Sequence, residues 1–167
     1  MKILAEYPQW LAFRTVPRGT GKTDKIPLSC RTGRVCNAHD PASWVAFENV
    51  TDLGAGPAFA LTEGDPFFCI DLDDCLDENG KPSAAAQEYL DMFPGAGVEV
   101  SVSGRGLHIW GTYTRELPAH VTRTASAPGV ELYHARRFIA LGGWLRGDAA
   151  NDFTEALHTL IAERFAK

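Results

Sequence analysis

The chain has 167 residues, of which 45% are hydrophobic and 22% are charged, and its formal net charge is -5 at pH 7. This size and composition predict one globular domain and exclude collagen-like and disordered chains. Four cysteines at irregular spacing exclude a disulfide scaffold. No apolar run reaches the roughly 18 to 20 residues that a membrane span needs, and Glu6 and Pro8 interrupt the stretch where a secretory signal would be apolar. We therefore expect a cytoplasmic protein with no membrane partner.

Charge is distributed unevenly along the chain. Between residues 14 and 34, six basic residues stand against one acid, and between residues 63 and 91, nine acids stand against one lysine. Because phosphate backbones are bound through Lys and Arg, the basic segment predicts a polyanionic partner, and the acidic segment predicts a cation site. Two unrelated solvated loops would give the same pattern, and charge alone does not separate the two interpretations.

Hydrophobic periodicity and turn residues predict the secondary structure. Strands are expected at residues 9–14, 57–62, 67–72, 97–102, 107–113, 130–133 and 137–141. Helices are expected at residues 40–49, 82–93 and 153–165. We interpret the region of Lys22 and Lys25 as a flexible basic loop, and the runs at 57–62 and 67–72 as adjacent strands. This order predicts an α+β fold with a mixed, mainly antiparallel sheet and packed helices.

The strand at 67–72 leads into Asp71-Leu72-Asp73. Side chains alternate along a strand, so Asp71 and Asp73 are expected on one face while Leu72 points away. Two neighbouring carboxylates repel each other unless a cation or a proton lies between them, and such oxygen donors suit Mg²⁺ or Mn²⁺. An acidic loop that merely begins at Asp71 explains the same residues equally well.

Two further motifs follow in the chain. The first is SGRGLH at 103–108, where glycines would let backbone amides approach an anion while Arg105 and His108 supply donors. A glycine-rich hairpin turn with an incidental histidine is the simpler explanation of that motif. The second is VELY at 130–133, in which Glu131 either faces solvent from a half-buried strand or is directed at a site.

Taken in order, DLD at 71–73, SGRGLH at 103–108 and VELY at 130–133 resemble the three motifs of the archaeo-eukaryotic primase superfamily. The chain looks most like the primase-polymerase domains of phage and plasmid replication proteins. A tryptophan in the first strand, KIP at 25–27 and DPASW at 40–44 also match features of those domains, so the resemblance spans nearly the whole chain.

This resemblance implies a single primase-polymerase catalytic domain over residues 1–167, with an RRM-like catalytic sheet and an N-terminal α/β unit. It implies template-dependent nucleotidyl transfer, as a DNA-directed primase or polymerase that acts on a DNA template and primer with NTPs or dNTPs. Asp71, Asp73 and Glu131 would be the catalytic residues and would bind two Mg²⁺ or Mn²⁺ ions. His108 would clamp the nucleotide triphosphate. The implied nucleotide-binding residues are Ser103, Gly104, Arg105, Gly106, His108, Lys25 and Arg137.

Members of this family usually continue into a helical domain and often a helicase. The resemblance therefore implies a helicase or helical accessory domain as a partner. It also implies that the protein acts in a prokaryotic cell and is encoded by a phage or plasmid. The chain would then be either an excised domain or a stand-alone form. One departure concerns the second motif, because this chain has Gly106 where the family has a serine two positions before the histidine.

Two alternatives compete with this interpretation. Asp71-Leu72-Asp73-Asp74, with Gly147, Asp148 and Asp152 further on, partly satisfies the motifs of haloacid-dehalogenase-type phosphohydrolases, although Cys75 replaces the expected Thr or Val. That fold requires a parallel sheet. The other alternative is a non-catalytic nucleic-acid-binding module in which aromatic side chains stack on bases. The candidates for such stacking are Trp10, Phe13, Trp44, Trp110, Tyr133 and Trp144.

Overall fold

The architecture consists of two antiparallel sheets and two longer helices. The structure is a computed structural model, and it describes residues 1–19, 21–54, 56–118 and 129–165. The helices are α1 (Lys2–Ala5), α2 (Ala84–Met92) and α3 (Thr154–Arg164). The strands are β1 (Trp10–Pro17), β2 (Thr23–Leu28), β3 (Gly56–Leu61), β4 (Phe67–Leu72), β5 (Gly97–Val100), β6 (Leu107–Thr112), β7 (Val130–Tyr133), β8 (Arg137–Ala140) and β9 (Gly143–Arg146).

The first sheet has the strand order β2-β1-β3-β8, and the second has the order β7-β4-β6-β5-β9. Every pairing between these strands is antiparallel. The predicted α+β class with a mainly antiparallel sheet is confirmed. In the second sheet, α2 connects β4 to β5, and β4 and β6 occupy the centre, which is the connectivity expected of an RRM-like sheet. The antiparallel pairing of β4 also rules out the parallel sheet that a haloacid-dehalogenase-type phosphohydrolase would need.

The second sheet forms the middle layer of the molecule. Its residues Phe68 and Ile70 face α2 and α3, where they pack in one cluster with Leu90 and Leu157. The alternate residues of β4 face the first sheet, and Cys69 packs there in a second cluster formed largely by the two sheets. Because side chains alternate along β4, one strand contributes to both cores.

Helices α2 and α3 form where the periodicity predicts them. The Ser83 hydroxyl caps α2 by accepting a hydrogen bond from the backbone N–H of Ala86 (3.2 Å), and the helix ends before Pro94. Helix α3 buries Leu157, Leu160 and Ile161, as the spacing indicates. Among the described residues, no helix has the length and apolar character to cross a membrane.

The predicted helix over residues 40–49 is wrong. Asp40 does cap a turn, but that turn is a 3-10 helix over Pro41–Ser43, and a second one follows at Phe47–Asn49. Between them, the backbone of Val45 exchanges both hydrogen bonds with Trp10 of β1 (3.0 and 3.1 Å). These tertiary hydrogen bonds hold Val45 in an extended conformation, so a continuous helix cannot form.

The predicted flexible loop around Lys25 is also wrong, because Lys25 lies in β2, paired opposite Thr15 of β1. Pro27 restricts β2 to an edge of the sheet, where the missing backbone N–H does no harm.

The runs at 57–62 and 67–72 are strands, β3 and β4, but they are not adjacent. Both edges of β3 are occupied by β1 and β8, and both edges of β4 by β6 and β7, so the two strands belong to different sheets. Strands β2 and β9 and helix α1 were not predicted.

We expect Gly147→Ala to destabilise the protein more than Gly80→Ala does. Both glycines have positive φ (73° and 75°), which costs an alanine about 1–2 kcal/mol. A Cβ at Gly147 would lie 1.8 Å from the carbonyl oxygen of Ala96, whereas nothing lies within 4 Å of one at Gly80. Overpacking should therefore add about 1–3 kcal/mol at Gly147. Urea unfolding of the two variants measures the difference, and equal losses would contradict the packing of the β9–α3 connection on Ala96.

Candidate active site

A row of four ionisable side chains crosses the second sheet. Asp71 of β4 is paired with Glu131 of β7 on one side and with His108 of β6 on the other. His108 is paired in turn with Glu99 of β5. Directly opposed residues in an antiparallel sheet share a face, so the four side chains form one line on the face directed at the first sheet.

His108 lies between two carboxylates. Its Nε2 is 3.4 Å from Asp71 Oδ1 and its Nδ1 is 2.7 Å from Glu99 Oε1, while the side chain is only 2% exposed. Burial opposes the positive charge, but hydrogen bonding and attraction from Asp71 and Glu99 prevail and raise the pKa of His108 to about 9. Burial likewise disfavours the Asp71 carboxylate, yet His108 prevails and lowers the pKa of Asp71. At neutral pH His108 is therefore an imidazolium, with one ring nitrogen facing Asp71 and the other facing Glu99.

Glu99 is fully buried and its carboxylate accepts three hydrogen bonds. Besides His108, Trp110 donates its Nε1–H to Oε1 (3.0 Å), and the backbone N–H of Gly142 donates to Oε2 (2.7 Å). The sequence analysis did not single out Glu99. Its signal is the same as that of Glu131, an acidic residue between two apolar residues of a strand, and its place opposite His108 becomes visible only through the β5–β6 register.

Asp73 follows the end of β4, where its backbone N–H donates to the carbonyl of Gly129 (2.7 Å). Its side chain is exposed, unlike that of Asp71. Partial burial, followed by repulsion from Asp71 and Glu131, raises the pKa of Asp73. The fold thus brings the three predicted carboxylates within electrostatic range of one another.

Glu131 is hydrogen-bonded by the hydroxyl of Tyr133, which lies two residues further along β7 on the same face. Burial and this contact with Glu131 raise the pKa of Tyr133, so the phenol keeps its proton. The guanidinium of Arg137 lies over the Tyr133 ring, 4.5 Å from its centroid. Glu131 and Arg137 are therefore connected through one aromatic side chain.

A cleft of about 390 Å³ opens between the sheets above this row. Asp71 and His108 form part of its lining from the second sheet, and Lys25 of β2 and Arg137 of β8 line it from the first. The charges of Lys25 and Arg137 also act to lower the pKa of Asp71. Arg18 lines the cleft as well and pairs with Asp24 (2.7 Å). Lys25 and Arg137, which lie far apart in the sequence, thus meet beside Asp71 and His108.

The glycine-rich turn lies next to the end of β4 and not in the lining of this cleft. Arg105 pairs with Asp74 (2.6 Å), and the hydroxyls of Ser103 and Ser101 lie 3.0 Å apart. Gly106 packs directly against β4, since a Cβ there would be 2.7 Å from the Leu72 carbonyl oxygen. That close approach gives Gly106 a packing role. The nucleotide-binding roles of Ser103, Gly104, Arg105 and Gly106 stay predictions.

The donor chemistry at the end of β4 fits a hard divalent cation. Asp71, Asp73 and Glu131 offer only oxygen atoms. Burial, followed by repulsion from Asp71 and Glu131, raises the pKa of Asp73, and a cation would relieve that repulsion. Within the part of the chain that the structure describes, no three His, Cys, Asp or Glu side chains are arranged as a closed metal cluster. A cation at this site would therefore have to gather carboxylates that are close but not preassembled.

The second motif of a phosphohydrolase is absent from this site. Asp148 accepts a hydrogen bond from the backbone N–H of Ala150 (3.0 Å), and Asp152 accepts one from that of Thr154 (3.2 Å), so both carboxylates stabilise local turns. The four cysteines are free thiols.

Comparison with known proteins supports the resemblance drawn from the motifs. No family model matches the chain. It is 29% identical, over 98% of its length, to a protein named DNA primase-polymerase from Nitratiruptor phage NrS-1. The chain spans only 23% of that protein's length. The predicted resemblance to primase-polymerase domains is confirmed.

We expect Asp71→Asn and Asp73→Asn to change stability in opposite directions. Asp71 is held ionised by His108, so its replacement removes a partner of a buried cation and lowers the free energy of unfolding by about 1–3 kcal/mol. The charge of Asp73 is disfavoured in the folded state, so Asp73→Asn should leave the free energy of unfolding unchanged or raise it.

Urea unfolding at pH 7 in EDTA measures both variants without bound cations. A larger loss of stability for Asp73→Asn than for Asp71→Asn would contradict this assignment of the charges.

Proposed function

We propose that this chain is a catalytic domain of a DNA-directed primase-polymerase, which transfers nucleotides to a DNA primer on a DNA template. The observation that carries the proposal is the row of Glu131, Asp71 and His108 beneath a cleft lined by Lys25 and Arg137. Acidic groups at the base and basic groups on the walls suit a nucleoside triphosphate with its divalent cations. The similarity to a DNA primase-polymerase along nearly the whole chain supports the same activity.

In this proposal Asp71, Asp73 and Glu131 hold two Mg²⁺ or Mn²⁺ ions. When bound, these ions would lower the pKa of the attacking 3′-hydroxyl and stabilise the negative charge of the leaving pyrophosphate. The 3′ oxygen forms a bond to the α-phosphorus, the bond from that phosphorus to the pyrophosphate breaks, and the hydroxyl proton passes to solvent. The side chains contribute by positioning and by electrostatics.

The basic residues of the first sheet bind the triphosphate. Arg137 is exposed on the cleft wall, and the Tyr133 ring beneath its guanidinium limits the orientations it can take. Lys25 approaches from β2 on the same side of Asp71. The contact of His108 with the triphosphate stays a prediction, because the ring is 2% exposed and both nitrogens face carboxylates. Its positive charge lies below the cleft and favours an anion there.

The β1–β2 hairpin carries the basic side chains that would meet DNA. Arg14, Arg18 and Lys22 are exposed on it, and the charge of Lys22 reaches Asp73. The hairpin is therefore a basic surface beside the cleft, on a chain whose net charge is -5. A nucleic-acid strand, which is polyanionic, would be attracted to this surface. A helicase or helical accessory domain as partner stays a prediction, and so does the cytoplasm of a prokaryotic cell as its location.

Asp73→Asn should abolish nucleotide addition, with a loss of about 100-fold or more in rate, because the loss of a cation ligand removes several kcal/mol of transition-state stabilisation. The assay is extension of a labelled primer on a DNA template, with NTPs and dNTPs supplied separately in Mg²⁺ or Mn²⁺. Asp73 is suited to this test because its replacement is expected to preserve the fold.

Primer extension by the wild-type chain that persists in Asp73→Asn would refute the assigned carboxylates. If the wild-type chain extends no primer, and replacing Asp71 and Asp73 tightens DNA binding, the chain is a non-catalytic binding module. Binding measured by fluorescence anisotropy with the same labelled DNA separates these outcomes.

Arg137→Ala should raise the KM for the nucleotide about 10-fold or more, since a charge-assisted hydrogen bond contributes about 1.5–3 kcal/mol. The matched control is Arg136→Ala. Arg136 precedes it in the chain but pairs with Glu63 (2.6 Å) in an exposed ion pair, so its loss should change KM little. Similar increases in KM for both variants would indicate a general effect of positive charge and not a contact from Arg137.

A further inference from the structure

Glu99 has no place in the chemistry proposed above, yet it is a fully buried carboxylate next to the site. Burying an ionised carboxylate is costly unless hydrogen bonds and a countercharge compensate for the lost water. Glu99 is surrounded by three donors, His108 Nδ1, Trp110 Nε1 and the backbone N–H of Gly142. The structure therefore encloses this buried carboxyl group in hydrogen bonds, directly beside His108 in the row.

The three donors hold the carboxylate in one orientation. Trp110, which is fully buried, and the backbone of Gly142 can only donate, so both oxygens of Glu99 act as acceptors. Oε1 then presents an acceptor to His108 Nδ1 at 2.7 Å. Because Trp110 belongs to β6 and Gly142 precedes β9, the carboxylate is attached to both strands that flank β5.

This contact fixes which edge of the His108 ring faces the cleft. An imidazole ring rotated by half a turn about χ2 would exchange a ring nitrogen for a carbon at the position facing Glu99. With Nδ1 held by Glu99, Nε2 is directed at Asp71, at 3.4 Å. A second partner that orients a histidine in this way commonly alters affinity or activity by about 10- to 100-fold when removed.

We propose that Glu99 is a positioning residue of the active site, which holds the His108 ring by accepting its Nδ1–H and so places Nε2 against Asp71. Its effect on turnover rests on the proposed function, whereas its effect on the His108 ring does not. A purely structural Glu99 would serve only to satisfy the N–H groups of Trp110 and Gly142.

Glu99→Gln and Trp110→Phe separate the two roles. Glutamine offers one acceptor oxygen in place of two and carries no charge. It leaves at least one donor unsatisfied, and where its amide oxygen accepts from His108 the contact is weaker than with the carboxylate. Trp110→Phe removes a different donor to the same carboxylate and leaves the contact between Glu99 and His108 intact. Both variants should lower Tm, because each leaves a buried polar group with fewer partners.

Two measurements on the 167-residue chain test the proposal. In ¹⁵N-labelled protein, the Nδ1–H of His108 should give a downfield, slowly exchanging proton signal in the wild type and in Trp110→Phe, and in Glu99→Gln this signal should move upfield and exchange faster. In primer extension, Glu99→Gln should lower kcat about 10- to 100-fold with KM within about two-fold, whereas Trp110→Phe should keep kcat within about two-fold.

An Nδ1–H signal with unchanged position and exchange rate, together with wild-type kcat, in Glu99→Gln would overturn the proposal, and so would a kcat loss of equal size in Trp110→Phe. If Glu99→Gln does not fold, Glu99→Asp replaces it, since aspartate keeps the charge but withdraws the carboxylate by one methylene. The same change in the Nδ1–H signal and a loss of kcat are expected there too, and an unchanged signal with wild-type kcat would overturn the proposal. If even the wild type extends no primer, the proposed function fails, while the Nδ1–H signal still decides the role of Glu99.

Discussion

The position of Asp71 in the central region of the second sheet determines the rest of the site. Strand β4 has hydrogen-bonded neighbours on both sides, so Asp71 is flanked by one residue of β6 and one of β7. Those residues are His108 and Glu131, one cationic and one acidic. The alternate residues of β4 are buried under the helices, and a shift of one residue in register would exchange these polar and apolar faces. The core that stabilises β4 therefore also fixes the register of the charged row.

The cleft depends on both sheets. Asp71 and His108 reach it from the second sheet, and Lys25 and Arg137 reach it from the first. The apolar cluster between the sheets contains Trp10, Phe59 and Trp110, all fully buried. Packing of these rings keeps the two sets of charges close enough to interact, as the influence of Lys25 and Arg137 on Asp71 indicates. Folding and the electrostatics of the site thus share one hydrophobic core.

Sequence patterns were sufficient for the features that depend on local periodicity. Strand β4 and helix α2 were predicted because alternation and caps lie within short windows. The roles of Asp71, Asp73 and Glu131 came from the family resemblance and stay predictions. The helix predicted over residues 40–49 failed because Val45 bonds to Trp10, more than thirty residues away. Glu99 was missed because only the β5–β6 register shows that it meets His108. Asp71 and Asp73 look equivalent in the sequence, yet one is a partly buried residue of a strand and the other is exposed in the turn that follows.

The connection between β7 and β8 crosses from the second sheet to the first in three residues, from His134 to Arg136, with Arg136 at a positive φ of 51°. Arg137 on the basic wall is therefore joined to Tyr133 and Glu131 on the acidic side through a connection of only three residues. Lys25 lies on β2, which is paired with β1 and bridged at Leu28 to Val35, so it reaches Asp71 from a separate part of the chain. A small displacement of the first sheet from the second is therefore expected to move Lys25 further from Asp71 than Arg137, whose range is limited by its short connection to β7.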